Sequence, residues 1–234
     1  AGHEPEVEAL GEADWVALSQ RGLEPVRAGR FFIHTRAWRG AAPPGAVAIE
    51  IDAGRAFGTG HHETTAGCLA ALDRLNESGL SFGNVLDLGT GTGVLAFATL
   101  RLWPLARAAA SDADPVAVQV AADNAAANRI VLGSGRGELE LIAASGMQHP
   151  RLAARAPFDL VLANILAGPL ITLAPAVAAA IEPDGRLVLA GLLADQADAV
   201  AAAYRRQGMA PAFRIDRGEW PTLVMRRRSA RASR

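Results

Sequence analysis

The sequence predicts an α/β fold, with a mostly parallel sheet, helices on both faces and an antiparallel hairpin strand at its C-terminal end. From residue 84 onward, short apolar runs alternate with segments of helical length, which is the pattern of repeated βαβ units. The last two apolar runs flank the segment RGEWP with no helix between them. We therefore expect them to pair as a hairpin and to add one antiparallel strand to the sheet.

The boundaries of these elements follow from apolar runs and turn residues. Pro104 stops a helix, Pro115 suits the first turn of the next one, and Gly208 closes the last. Pro183–Gly185 predicts a turn. In chain order we predict a strand at 84–88, a helix at 94–103, a strand at 107–111, a helix at 115–129, strands at 138–143 and 158–163, a helix at 170–181, a strand at 186–190, a helix at 194–207, and strands at 213–215 and 222–225.

The region before residue 84 is organised differently. GLEPVRAGRFFIHTRAW and GAVAIEIDAG are typical of short extended segments, with turns at Gly29 and at APPG. The segment ETTAGCLAALDRL has the spacing of an amphipathic helix. The C-terminal RRRSARASR carries five arginines, and we interpret it as a solvated terminus, with contact to an RNA-rich partner as the alternative.

Composition excludes several classes of protein. The chain has 234 residues, 50% of them apolar, and a net charge of -1, so no overall basic field points to nucleic acid. Its single cysteine, Cys68, allows no intramolecular disulfide and indicates a reducing compartment. Residues 160–181 carry no charge, but Asn164, Pro169 and Pro175 interrupt them. We predict a buried strand followed by a buried helix there, not a membrane span.

The glycine-rich stretch NVLDLGTGTGVLAFA lies between a predicted strand and a predicted helix. The part GTGVLA matches G-x-G-x-x-A, and Asp112 follows Gly91 at the spacing of an acid that binds a ribose in dinucleotide sites. Asp87, however, stands just before the first glycine, where it would repel a pyrophosphate. A cationic ligand without phosphate, such as S-adenosylmethionine (SAM), suits that carboxylate better.

A SAM site can be assigned residue by residue on this interpretation. Asp87 is expected near the ligand's amino group or a water bound to it, and Gly89 and Gly91 let the backbone approach its methionine part. Asp112 would accept hydrogen bonds from both ribose hydroxyls, because Asp114 is better placed to cap the helix that starts at Pro115.

Two further motifs are expected at the same cleft. Asn164 follows a buried strand, and the carboxyl ends of parallel strands form the ligand crevice of such sheets. Its side-chain oxygen could hold a substrate amine, although an Asn that caps the next helix fits the sequence as well. In AFGTGHHETT, either Thr64 or Thr65 could present a hydroxyl to the cleft. Adjacent histidines and one cysteine make a poor metal set, so no metal is expected.

Five segments together resemble the PrmA type of ribosomal-protein methyltransferase, a family of class I SAM-dependent enzymes. They are IEIDAGRAFGTGHHETTAGCL, VLDLGTGTGVLAFA, ASDADPVAVQVAADNAAAN, FDLVLANILAGPLITLAP and GLLADQADAV. The resemblance implies a Rossmann-like fold with a seven-stranded sheet. It also implies methylation of lysine and N-terminal amino groups on the large-subunit ribosomal protein numbered eleven, at the stalk base, in the cytoplasm and without direct nucleic-acid readout. When the family's SAM contacts are transferred to the matching positions of this sequence, they fall on Thr65, Gly89, Asp112 and Asn164, with Gly91 nearby.

The resemblance also shapes the expected domain organisation. Family members carry a separate N-terminal recognition domain, whereas only about 45 residues precede AVAIEIDAG here. We expect residues 1–45 to be a truncated recognition region or linker, 46–226 the methyltransferase domain and 227–234 a basic tail. Two alternatives stay open at this point: a nicotinamide-dependent oxidoreductase, because of GTGVLA and Asp112, and a non-catalytic SAM-binding module.

Overall fold

The structure is a computed structural model that describes residues 24–51 and 62–229. Its helices are α1 (His62–Glu77), α2 (Val94–Leu102), α3 (Pro115–Ala127), α4 (Pro150–Arg155), α5 (Ala167–Ala179) and α6 (Ala197–Arg206). Its strands are β1 (Val26–Ala28), β2 (Phe31–His34), β3 (Val47–Glu50), β4 (Asn84–Leu88), β5 (Arg107–Asp112), β6 (Leu139–Ala143), β7 (Phe158–Asn164), β8 (Ile181–Ala190), β9 (Met209–Arg217) and β10 (Trp220–Arg227). Short 3-10 helices occupy Arg36–Trp38 and Ala194–Gln196.

The main sheet has seven strands in the order β6-β5-β4-β7-β8-β10-β9. Strands β4 to β8 run parallel, whereas β10 is antiparallel to both β8 and β9. This confirms the predicted α/β fold and its C-terminal hairpin. The strand order reverses between β4 and β7, and this switch point is where open α/β sheets bind their ligands.

Two predicted boundaries around β8 are wrong. The helix expected at 170–181 is α5, which begins at Ala167 because Pro169 falls in its first turn, where a missing N–H costs little. The turn at Pro183–Gly185 lies inside β8, not before it. Phe158 pairs with Ile181 but Leu160 pairs with Arg186, so the turn is looped out of a continuous strand, with φ of +63° at Asp184.

The short helix α4 was not predicted, because its six residues are too few to show a helical period. Its first turn is marked by Pro150, and the ring nitrogen Nδ1 of His149 accepts a hydrogen bond from the backbone N–H of Arg151 at 3.2 Å. Both features are start signals that the sequence does contain.

A second, three-stranded sheet lies on the N-terminal side, with β1 antiparallel and β3 parallel to the central strand β2. Phe31 and Ile33 of β2 enter the same core cluster as Leu69 and Leu72 of α1. The backbone N–H and the guanidinium of Arg30 both donate to the Asp73 carboxylate, so α1 is tied to this sheet. These contacts extend across the expected boundary between residues 45 and 46.

Apolar side chains cover both faces of the main sheet, as a parallel sheet requires. One face packs against α1 and α2, and the other packs against α5 and α6. Among residues 24–51 and 62–229, no helix has both the length and the apolar character needed to cross a membrane. The chain segment at 160–181 is instead β7, α5 and the first residue of β8, so the predicted strand and helix are confirmed. The expectation that the helix is buried is wrong, because α5 buries only one face: Leu170, Ala174 and Val177 are buried, whereas Ile171 and Pro175 are exposed.

Candidate functional site

The glycine turn after β4 forms the centre of the site. Gly89 and Gly91 adopt φ of +73° and +54°, and Gly93 caps α2 with φ of +88°, all in the left-handed region that favours glycine. The backbone N–H groups of Gly89 and Thr90 donate to the Ser111 carbonyl at 2.8 and 2.9 Å. A Cβ at Gly91 would meet no described atom within 4 Å, so the backbone is open on that side.

Asp112 lies at the end of β5, directly against this turn. Its Oδ2 accepts the Gly91 N–H at 2.9 Å, and its Oδ1 accepts the Asp114 N–H at 3.0 Å. Asp114 caps α3 by accepting the Val116 N–H at 2.8 Å, so the cap was predicted correctly. Each Asp112 oxygen keeps a lone pair for a further donor.

Asp87 is almost completely buried beneath the turn, with 1% of its surface exposed. Its Oδ2 accepts the Thr90 hydroxyl at 2.6 Å and the Ala96 N–H at 3.2 Å, whereas Oδ1 has no partner among the described residues. Burial raises the pKa of Asp87 to about 6, against the lowering effect of those two bonds, and the nearby Asp112 raises it slightly further. A buried carboxylate oxygen without a hydrogen-bond partner is stabilised by a cationic donor, such as an ammonium group.

Asn164 is the last residue of β7, the strand that pairs with β4 beside the glycine turn. Its Nδ2 donates to the Thr65 hydroxyl at 3.3 Å, across 99 residues of sequence. Helix α5 takes Leu166 as its N-cap and has no side-chain cap, so the alternative that Asn164 caps it is wrong. Thr65 faces the site, whereas Thr64 is buried with 4% exposure, which separates two residues that the sequence left equal.

Ile165, the residue after Asn164, packs between two glycines, Gly89 and Gly191. A Cβ at Gly89 would overlap the Ile165 side chain, and a Cβ at Gly191 would lie 2.5 Å from the Ile165 carbonyl oxygen. Gly191 follows β8 with φ of +82°, and sequence reasoning missed its part in the site. The only available signal was a glycine at the carboxyl end of a strand beside Asn164.

The remaining sequence motif can be located only in part. Residues 56–61 of AFGTGHHETT, including His61, lie outside the described residues, as does the side chain of His62. Among the residues that the structure does describe, no group of three or more His, Cys, Asp or Glu side chains could hold a metal. Cys68 is fully buried on α1, and burial, together with Asp87, raises the pKa of its thiol.

Comparison with known proteins decides between the open alternatives. The model of the family described as ribosomal protein L11 methyltransferase (PrmA) matches residues 2–228. The chain belongs to the PrmA family. Ribosomal protein L11 methyltransferases of Brucella melitensis biotype 2 and Rhizobium meliloti are 46% and 47% identical to it, over 94% and 95% of this chain and 75% and 74% of each relative.

Solved structures agree with the PrmA assignment. A ribosomal protein L11 methylase from Lactobacillus delbrueckii subsp. bulgaricus superposes with a TM-score of 0.75 at 26% identity, over 88% of this chain and all of that one. The N-methyltransferase NodS from Bradyrhizobium japonicum WM9, in complex with S-adenosyl-L-homocysteine, shares the fold at 17% identity and a TM-score of 0.53, over 68% of this chain and 85% of that one.

Membership of the PrmA family makes the chain a class I SAM-dependent methyltransferase with SAM as its cofactor. The oxidoreductase alternative and the non-catalytic alternative are not supported. The residues at the glycine turn fit this cofactor, since the orphaned Asp87 oxygen suits an amino group and the lone pairs of Asp112 suit hydroxyl donors. The open backbone at Gly91 leaves room for close approach.

Proposed function

We propose that this chain transfers methyl groups from SAM to amino groups of ribosomal protein L11, both lysine side chains and the N-terminal amine. One observation carries the proposal. The Asn164 side chain stands at the end of β7, is not used for helix capping, and contacts Thr65 beside the glycine turn. This supports the proposal, because an amide that can receive an amine would stand at the edge where the proposed cofactor residues lie.

The proposed cofactor residues have different roles according to their chemical type. Asp112 would accept the ribose hydroxyls, and Asp87 would receive the amino group or a water bound to it. Gly89 and Gly91 would admit the methionine part, since side chains there would either clash or block the approach. The Thr65 hydroxyl completes this set from α1 and is held by Asn164.

On the acceptor side, Asn164 is the proposed catalytic residue. Its side-chain oxygen and the backbone carbonyl beside it can accept the hydrogens of an amine, which aims the nitrogen lone pair at the donor. When bound, SAM supplies an electrophilic methyl group on a sulfonium. The protein's main contribution is then to hold the amine in near-attack geometry.

The target amine must also lose a proton before it reacts, because a free lysine has a pKa of about 10.4. An apolar surrounding favours the neutral amine. Leu166 and Ile165, next to Asn164, are apolar, and Leu166 is 73% exposed, where it can cover the stem of an incoming lysine. We propose that water accepts the proton.

The same proposal includes the partner protein and the division into domains. The partner would be L11 of the ribosomal stalk base, bound in the cytoplasm and without direct readout of a nucleic-acid sequence. Residues 46–226 would form the methyltransferase domain, with 1–45 as recognition region or linker and 227–234 as basic tail. The relatives compared above are named ribosomal protein L11 methyltransferases, which supports L11 as the substrate.

Calorimetric titration with SAM, its demethylated product and NAD tests the cofactor, and mass spectrometry of L11 after incubation with SAM tests the reaction. We expect binding of the first two ligands, no binding of NAD, and mass increases on L11 in steps of one methyl group. If SAM binds but L11 gains no mass while another amine is methylated, the substrate proposal is wrong.

A further inference from the structure

A close contact between α1 and β10 lies beside the acceptor site. Gly67 of α1 is buried against Thr222, and a Cβ at Gly67 would overlap the Thr222 hydroxyl oxygen and lie 3.3 Å from its Cβ. Thr222 is fully buried, and its hydroxyl has no hydrogen-bond partner among the described residues. The contact is therefore steric, and removal of the hydroxyl costs no hydrogen bond to any residue that the structure describes.

This contact lies in line with Asn164 across the sheet. Asn164 pairs with Ala190 of β8, and the pairing of Leu223 with Leu189 places Thr222 beside Ala190. Two residues away on the same face, Leu162, Val188 and Val224 all enter the core cluster that α1 covers. Asn164, Ala190 and Thr222 thus form one row, and the first turns of α1 lie on it.

Helix α1 touches this row at two points. Thr65 meets Asn164 at one end, and Gly67 meets Thr222 at the other. Because a helix is rigid over two residues, the depth at which Gly67 packs also sets the distance between Thr65 and Asn164. The bond between them is already 3.3 Å long, so a small outward shift of α1 would break it.

We infer that Gly67 and Thr222 are positioning residues, whose close packing seats α1 so that Thr65 reaches both the cofactor and Asn164. This inference rests on the proposed function for the roles of Thr65 and Asn164. Gly67 has no left-handed φ, so alanine there meets no backbone strain and only the missing space opposes it. Thr222 has no exposed surface, so rotation of its side chain would move the hydroxyl toward other buried atoms and not into solvent.

The test compares Gly67→Ala in two backgrounds, wild type and Thr222→Ala. In the wild-type background we expect SAM affinity, measured by calorimetry, and kcat on L11 each to fall about fivefold, within the range for loss of the Thr65 hydroxyl bonds. In the Thr222→Ala background the overlapping oxygen is gone, so both losses from Gly67→Ala should shrink to within about twofold. Thr222→Val keeps the bulk without the hydroxyl, so in that background the losses should stay as large as in the wild type.

Equal losses in all three backgrounds, or no loss from Gly67→Ala, would overturn the inference. Should Gly67→Ala fail to fold, Thr222→Ile presses on α1 from the sheet side, and a folded Thr222→Ile with unchanged SAM affinity would also overturn it. Thermal unfolding shows which variants are folded. The calorimetric result stands even if L11 is not the substrate, so failure of the proposed function would be seen separately as a wild-type enzyme that binds SAM without methylating L11.

Discussion

The two halves of the site are held in place by different forces. On the cofactor side, hydrogen bonds join the glycine turn to β5 and α2, and Asp87, Thr90, Ala96, Gly91 and Asp112 all take part. On the acceptor side, the Asn164 side chain donates one hydrogen bond to the Thr65 hydroxyl, at 3.3 Å. There the backbone is fixed mainly by close packing, with Ile165 between Gly89 and Gly191 and α1 against Thr222.

This difference shows what each half requires. The cofactor is always the same molecule, and a turn whose backbone is already fixed by hydrogen bonds binds it with little reorganisation. The acceptor amine belongs to another protein and must be oriented toward the methyl group. This requires a rigid surface and few competing hydrogen-bond donors. Substitutions on the two sides should therefore act on different measurable quantities, SAM affinity on one and turnover on the other.

Asp112→Ala should have the largest effect on the cofactor side. It removes the proposed ribose acceptor and the bond to Gly91, and should weaken SAM binding by roughly 1.5–3 kcal/mol, the range for hydrogen bonds to a charged group. Calorimetric titration measures the change. Asp114→Ala is the matched control, since it removes the α3 cap and should lower stability by about 0.5–2 kcal/mol without changing SAM affinity. Unchanged affinity in Asp112→Ala would contradict the ribose assignment.

Asn164→Ala should have the largest effect on the acceptor side. At saturating SAM we expect turnover on L11 to fall more than tenfold, because the amine is no longer aimed. Asn164→Asp should not restore it fully, since a carboxylate stabilises the protonated, unreactive amine. Single-turnover methylation followed by mass spectrometry separates this from binding. Near-normal turnover in Asn164→Ala would show that another group orients the amine.

The sequence was most informative where local signals and the sheet agree. Strand β4 was predicted with its bounds, and β5 and β7 to within one residue, because short apolar runs end at glycine or at a polar residue. It was least informative around β8, where a left-handed Asp184 loops residues out of a continuous strand. Turn residues indicate a local change of direction but not whether the strand resumes.

Site residues followed the same division. Asp87, Gly89, Gly91 and Asp112 are neighbours at the turn, and their spacing made them visible, although their contact with SAM stays a prediction. The choice of Thr65 over Thr64 needed α1 to be placed against β7, which depends on packing far along the chain. Gly67 and Gly191 were missed because close approach between distant elements leaves no local pattern.

The buried Asp87 predicts opposite pH responses for stability and for SAM binding. Its pKa of about 6 lies above the ordinary value, so the folded protein binds the proton more tightly than the unfolded chain. This residue therefore stabilises the ligand-free protein as pH falls from about 6 to about 4. SAM affinity should fall instead, by about tenfold between pH 7 and 5, because the amino group prefers the ionised carboxylate.

Thermal unfolding and calorimetry across that pH range test both responses, each compared with Asp87→Asn. The comparison isolates Asp87, because carboxylates with lowered pKa values, such as Glu50 and Glu140, are present in both proteins and act in the opposite direction. A constant difference in melting temperature between the two proteins from pH 4 to 7 would show that Asp87 is ionised throughout.

Thr65→Val should have the smallest effect and best tests whether the two halves are separate. The substitution keeps the shape of the side chain and removes only the hydroxyl. We therefore expect it to weaken the interactions of this site by the free energy of one hydrogen bond, about 0.5–1.5 kcal/mol. Because Thr65 is proposed to contact SAM and is bonded to Asn164, both SAM affinity and turnover should fall, each by a few-fold. Thr64→Val, one residue earlier and buried, should change the melting temperature and leave SAM affinity unaltered. If Thr65→Val changed turnover alone, the hydroxyl would belong only to the acceptor side, and α1 would not join the two halves.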